Sequence, residues 1–229
     1  MRQIVEYFNT IQGEGSTQGM PVTLLRFKFC NLNCSFCDSQ DKMNSDIVEF
    51  DMNEFKKLLS ISRHMMITGG EPTLYYKDIF DISNECVDHF DRVVIETNGL
   101  EKQTVIDLID YFKEIKKEVV ISWSPKLMDR GFFELNKDLA KVFVKRPEIE
   151  CKMVYGGAVE FDDEFLQYLE GIGFGKDRIW LMPLGATFDE LKENIFNVCN
   201  ICNKKGYRLS PRLHILIGKD LDEYLKNGA

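Results

Sequence analysis

The sequence predicts an α/β fold: a partial (β/α) TIM-like barrel of about six to seven parallel strands, built as one domain over residues 1–229. Three observations point to it. Short β-branched runs alternate with amphipathic segments of helical period. No internal repeat, low-complexity tract or linker interrupts them. Four consecutive strand candidates end in polar or glycine-rich residues, where barrels gather their functional groups.

The strand candidates are 22–29 (VTLLRFKF), 64–68 (HMMIT), 92–96 (RVVIE), 118–123 (EVVISW), 149–155 (IECKMVY), 178–182 (RIWLM) and 207–210 (YRLS). In TVIDLIDYFKEI, the residues Val105, Ile106, Ile109, Phe112 and Ile115 recur at helical spacing and predict a core-facing helix. Asp51 and Glu54, and again Thr187 and Glu190, have the spacing of a capping box before an apolar run. Gly206 supplies a left-handed residue after the second of these helices. Leu191, Ile195, Val198, Cys199 and Cys202 fall on one face of that helix, so the Cys199/Cys202 pair reads as core rather than as a redox or zinc motif.

Hydrophobic residues make up 44% and charged residues 29%, as in an ordinary globular chain. The net charge of −8 argues against a broad nucleic-acid-binding face, which needs clustered Lys and Arg. MRQIVEYFNT lacks the apolar stretch of a signal peptide, and no apolar run approaches the ~18 residues of a membrane span. The expectation is a cytoplasmic protein without membrane contact. Its seven cysteines, an odd number in a reducing compartment, then serve metal binding or packing rather than disulfides.

The strand ends carry the unusual chemistry. The first strand candidate runs into FKFCNLNCSFCDS, the second ends in TGGEP (68–72), the third in ETNG (96–99) and the fourth in SPK (124–126). Adjacent glycines in TGGEP suggest backbone meeting a ligand more closely than a Cβ allows. Cys30, Cys34 and Cys37, spaced CxxxCxxC, admit three readings: core cysteines, a zinc site, or an iron–sulfur cluster. The intervening Asn, Leu, Ser and Phe read as a loop rather than a core segment. Structural zinc takes four closed ligands, and no fourth stands nearby. A 4Fe–4S cluster held by three cysteines keeps one iron open.

CxxxCxxC with TGGEP after the next strand resembles the radical S-adenosylmethionine (SAM) superfamily. Within it, the ordered set IQGEG (11–15), Arg26, CDS (37–39), TGGEP, ETNG, SPK and LSPRLHILIG (209–218) is similar to the 7-carboxy-7-deazaguanine synthase (QueE) family. The resemblance runs from residue 11 to about 218. It implies a Mg-dependent lyase of 7-deazapurine (queuosine- or archaeosine-type) biosynthesis, converting 6-carboxy-5,6,7,8-tetrahydropterin to 7-carboxy-7-deazaguanine with loss of ammonia. In that chemistry SAM binds the open iron of a 4Fe–4S cluster and yields the adenosyl radical that takes hydrogen from the pterin.

Site residues implied by the resemblance follow position by position. Cys30, Cys34 and Cys37 hold the cluster and Ser39 the Mg2+. Ile11, Gln12, Gly13, Glu14, Arg26, Thr68 and His214 meet the pterin, Glu14 accepting from its guanidine-like edge. Arg26 alternates with Leu25 and Phe27, so it either receives the substrate carboxylate or pairs with an acid on a neighbouring strand. His214 sits in what reads as an apolar strand. Phe36, Asp38, Gly70, Glu71, Ser124, Pro125, Lys126, Met182, Pro183, Leu184 and Gly185 surround SAM. A flavodoxin- or ferredoxin-type electron donor and a homodimer are also implied, and the tail DLDEYLKNGA departs from the family pattern. Two other readings of the cysteine loop are a glycyl-radical activating enzyme and a non-catalytic zinc-binding module.

Overall fold

The computed structural model describes residues 2–156 and 159–218. Eight strands form one sheet in chain order: β1 (Ile4–Ile11), β2 (Pro21–Phe27), β3 (His64–Gly69), β4 (Arg92–Thr97), β5 (Glu118–Trp123), β6 (Ile149–Tyr155), β7 (Ile179–Pro183) and β8 (Arg208–Leu209). From β2 onward every neighbouring pair is parallel, as the β-α alternation predicts. β1 is a correction. It runs antiparallel to β2 along the sheet edge and was not among the seven expected strands. Its alternation of β-branched and aromatic with polar residues (IVEYFNTI) is a strand signal, weakened because several of its side chains are only half-buried.

The helices are α1 (Gln40–Met43), α2 (Met52–Ser62), α3 (Tyr76–Glu85), α4 (Lys102–Glu114), α5 (Arg130–Phe143), α6 (Val159–Gly171), α7 (Phe188–Lys205) and α8 (Leu213–Ile217). α4 buries Val105, Ile109 and Phe112 as its periodicity predicts, with Leu108 beside them, while Ile106 and Ile115 are only half-buried. Asp51 caps α2 by accepting from the amides of Asn53 and Glu54, but Glu54 bonds the Tyr7 hydroxyl at 2.7 Å, which ties α2 to β1. Thr187 and Glu190 form the full reciprocal box on α7, and Gly206 closes that helix at φ 79°. α7 buries Leu191, Val198 and Cys202, while Cys199 is exposed, so only one cysteine of the pair is core. His214 lies in α8, not in a strand, because Arg212 turns the chain out of the sheet.

Strand periodicity divides the molecule. Leu25, Phe27, Met65, Ile67, Val93, Ile95, Ile121, Trp123, Ile149, Cys151, Ile179 and Leu181 face the helices and form the core. The other parity (Leu24, Arg26, Met66, Thr68, Glu96, Lys152, Val154 and Met182) faces a concave cavity. Trp123 anchors the core, meeting the Phe143 and Phe165 rings edge-on at 5.1 and 6.1 Å. Among the described residues no helix is long and apolar enough to cross a membrane.

The glycine pair of TGGEP finds its reason here, and it differs from the expected one. A Cβ on Gly70 would overlap the Phe29 carbonyl and lie 2.7 Å from the Cys30 amide, so the close approach is to the backbone of the cysteine loop. Gly69 (φ 133°) presses likewise on Phe27. The Gly70 and Glu71 amides donate to the carbonyls of Phe27 and Phe29 at 3.0 and 2.8 Å, stitching the two loops together.

Gly70→Ala is expected to destabilise the protein by about 1–3 kcal/mol, because backbone atoms cannot swing aside; an unchanged urea midpoint would show that the cysteine loop yields freely. Thr187→Ala removes one half of the capping box and is expected to lower stability by about 1 kcal/mol in the same measurement.

Candidate active site

The concave face and the strand-end loops enclose a cavity of about 650 Å³, within the usual range for small-molecule sites. Every candidate site residue expected from the sequence lines it except Pro125, which is buried between Ser124 and Lys126.

At one end, the IQGEG loop continues β1. Gln12 is clamped by its amide to the Met20 carbonyl (2.8 Å) and by its own carbonyl to the Gly19 amide (2.7 Å). Its side chain donates to Glu96 Oε1 at 3.2 Å. Gly13 has no room for a side chain, since a Cβ would overlap the His214 ring and lie 2.8 Å from its amide. Behind the loop, Glu150 accepts from the Ser16 amide through both oxygens, at 3.2 and 3.1 Å.

Glu14 is the centre of the charge. Lys152 Nζ donates to Glu14 Oε2 and also to Glu96 Oε2, with the lysine side chain only 4% exposed. Arg212 Nε donates to Glu14 Oε1 at 3.0 Å, Nη1 to the Gly185 carbonyl and Nη2 to Asp38 Oδ2. Burial alone pushes the Glu14 carboxyl up, but Lys152 and Arg212 outweigh it and hold it well below the usual carboxylate range. Burial likewise pulls the Lys152 ammonium down, and its two carboxylates override that and hold it above its ordinary value. His214 Nε2 stands 3.9 Å from Glu14 Oε1. Burial holds its imidazole below the ordinary histidine value against the pull of Glu14, so it is neutral at pH 7.

Arg26 and Thr68 are register partners on β2 and β3, so they present a guanidinium and a hydroxyl side by side. Arg26 Nε donates to Glu6 on β1 at 2.7 Å, so the ion pair with a neighbouring strand exists, and the side chain still lines the cavity.

At the other end lie Cys30, Cys34 and Cys37. A turn from the Cys37 amide to the Cys34 carbonyl (3.2 Å) sets the last two on one side, and the Leu32 amide points at Cys30 Sγ (3.4 Å). Burial pushes the thiols of Cys30 and Cys34 up; nearby Lys126 pulls Cys34 down, and the neighbouring sulfurs push both further up. Three mutually repelling, partly buried sulfurs, an amide donor and a nearby cation suit a metal cluster that takes them as thiolates. Cys86, Cys151 and Cys202 lie in the core and Cys199 on the surface, so none of them completes the set. Among the described residues no three His, Cys, Asp or Glu side chains converge on one point as a single metal ion requires. Ser39 does not cap α1; its hydroxyl donates to Asp38 at 3.0 Å.

The loops after β3, β4, β5 and β7 complete the wall. Glu71 lines the cavity, and its carboxylate accepts from the Thr73 amide and hydroxyl, the Thr97 hydroxyl and the Asn98 amide. Lys126 Nζ donates to Ser124 Oγ at 2.8 Å. Phe36 lies half-buried beside Cys37, and Met182, Pro183, Leu184 and Gly185 form a rim held by Asn194 on the Leu184 carbonyl (2.8 Å) and by Arg212 on Gly185.

Sequence reasoning missed Glu96, Lys152 and Arg212. Lys152 carries the signal used for Arg26: one cation alternating with buried apolar residues in IECKMVY. Arg212 stands in the LSPRLHILIG motif, but its reach depends on a left-handed backbone (φ 59°, ψ 58°) that costs a non-glycine residue about 1–2 kcal/mol and that no local pattern predicts.

The chain matches the Radical SAM superfamily over residues 24–224. The 7-carboxy-7-deazaguanine synthase of Methanospirillum hungatei is 36% identical over 224 residues, covering 94% of this chain and 85% of the relative. The enzyme of that name from Methanocaldococcus jannaschii is 32% identical over 248 residues, covering 94% and 99%. The crystal structure of QueE from Escherichia coli shares the fold, with a TM-score of 0.56 at 21% identity over 91% of this chain and 92% of that one. By its match to that superfamily over most of its length and its identity to these relatives from end to end, this chain belongs to the 7-carboxy-7-deazaguanine synthase family of radical SAM enzymes.

Proposed function

We propose that this protein converts 6-carboxy-5,6,7,8-tetrahydropterin to 7-carboxy-7-deazaguanine with release of ammonia, using a 4Fe–4S cluster, SAM and Mg2+. The observation that carries the reading is Glu14, a buried carboxylate kept ionised in the cavity that also holds the three cysteines. When bound, the cluster and SAM supply the hydrogen-abstracting radical. The chain's residues bind and orient.

Cys30, Cys34 and Cys37 hold the cluster as thiolates, with Lys126 offsetting part of their charge. Gly70, Glu71, Ser124, Lys126 and the 182–185 rim enclose SAM. Glu14 accepts the N–H groups of the pterin's guanidine-like edge, a role that requires it to be ionised. Gln12, bonded to Glu96, flanks that edge. Arg26 spends Nε on Glu6 and offers its remaining donors to the substrate carboxylate, beside the Thr68 hydroxyl. Neutral His214 closes the pocket over Gly13. Ser39, next to Asp38, offers Mg2+ a hard oxygen. A flavodoxin- or ferredoxin-type protein as reductant and a homodimeric, cytoplasmic enzyme complete the reading, while any contact from the tail lies outside the described residues.

The test is an anaerobic turnover of reconstituted, reduced protein with SAM, Mg2+ and carboxytetrahydropterin, followed by mass spectrometry. 7-Carboxy-7-deazaguanine is expected, and Cys34→Ala abolishes it. Accumulation of 5′-deoxyadenosine without that product would overturn the pterin assignment and leave the radical one standing.

A second prediction concerns pH. The folded Glu14 carboxyl is depressed, so its ionised form persists through pH 5–8 and is lost only well below the ordinary carboxylate range. Lys152→Met removes the nearest cation while burial remains, so kcat/KM is expected to acquire an acid limb, falling as pH drops from 7 toward 5. The same variant is expected to lower stability by about 3–5 kcal/mol, as for a buried ion pair that loses one partner. A flat pH profile would show that Lys152 does not govern Glu14.

A further inference from the structure

Arg212 has no part in the assignments above, yet it touches three separate pieces of the cavity wall. Nε reaches Glu14 in the loop after β1, Nη1 the Gly185 carbonyl after β7, and Nη2 the carboxylate of Asp38, the residue after Cys37. Its side chain is 6% exposed. The backbone at this position is left-handed and is locked in place by the Leu213 amide on the Gly13 carbonyl (2.8 Å) and by the Ile215 and Leu216 amides on its own carbonyl (2.9 and 3.2 Å). A strained conformation falls on the residue that spans all three loops, the pattern expected where strain serves positioning.

We propose that Arg212 is a positioning residue that couples the pterin pocket to the SAM pocket, so that each ligand tightens the binding of the other. The inference rests on the functional reading above. Its physical basis is the guanidinium fork: planar and rigid, it cannot follow one partner without leaving the others. A ligand that seats Glu14 in its bonded position also seats the fork. The fork then holds Gly185 and Asp38 where the second ligand meets them. The ordering of the three loops is met once, by whichever ligand binds first, and the second binds to a prepared site. Linkage makes the effect reciprocal.

The test uses the reconstituted full-length protein with its cluster oxidised, so that nothing turns over. SAM and the oxidised probe 6-carboxypterin are titrated calorimetrically, each alone and each with the other saturating. In the wild type each ligand is expected to improve the affinity of the other about tenfold, within the usual ~5–150-fold range of such couplings. In Arg212→Gln the ratio falls to about one, and Arg212→Lys, which keeps the charge and loses the fork, does not restore it. Asp38→Asn cuts only the arm to the cysteine loop and serves where Arg212→Gln does not fold; it is expected to reduce the ratio as well. A ratio of one in the wild type, or a wild-type ratio in these variants, overturns the coupling alone. Failure of 6-carboxypterin to bind overturns the functional reading and the coupling with it.

Discussion

A carboxylate buried in a protein must be paired or it will neutralise, and the arrangement around Glu14 follows from that constraint. Glu96, Lys152, Glu14, Arg212 and Asp38 alternate in sign across the cavity, three carboxylates interleaved with two cations. Two unit charges about 4 Å apart attract by roughly 4 kcal/mol at the effective dielectric of a protein site. That attraction opposes burial, which by itself pushes the Glu14 carboxyl up and the Lys152 ammonium down, and it decides the direction at both groups. The ladder as a whole keeps one carboxylate more than it has cations.

The strand periodicity makes that ladder possible. Each parallel strand turns its apolar parity to the helices and its other parity to the concavity, so Lys152 sits between core residues Cys151 and Met153 without contacting solvent. A cation placed one residue earlier or later would fall in the core and find no partner. The opposite end of the cavity is electrostatically distinct. There the thiols of Cys30 and Cys34 are raised by burial and remain protonated without a metal, so loading them releases protons. Gly69 and Gly70 let that loop lie directly on the end of β3, so the cysteine loop and the polar cavity are fixed to adjoining strands.

Much of this was legible in the chain. The seven parallel strands, the α7 cap and stop and the cysteine spacing follow from periodicity, capping chemistry and ordered motifs, all of which are local in sequence, whereas much of the cavity wall, Met66, Glu96, Lys152 and Arg212 among it, does not. The antiparallel β1 escaped because it lies outside the β-α alternation. Cys199 was read as core because helical spacing defines a face but not how wide the buried stripe is. Glu71 reads as a ligand residue from its motif; that its carboxylate also accepts from Thr73 and, across to the ETNG loop, from Thr97 and Asn98 is a brace visible only when the two loops meet.

By itself, the sequence determined the fold class, the positions along the chain of strands β2 to β8 and the residues that could bear chemistry, because these depend on patterns within about a turn or a strand. Only the tertiary structure decided the charge states and partnerships: Glu14 with Lys152, 138 positions apart, and with Arg212, 198 positions apart. Charges so distant in the chain meet only when the strands close around a common cavity. The energy of their meeting depends on burial and distance, quantities that no local pattern encodes.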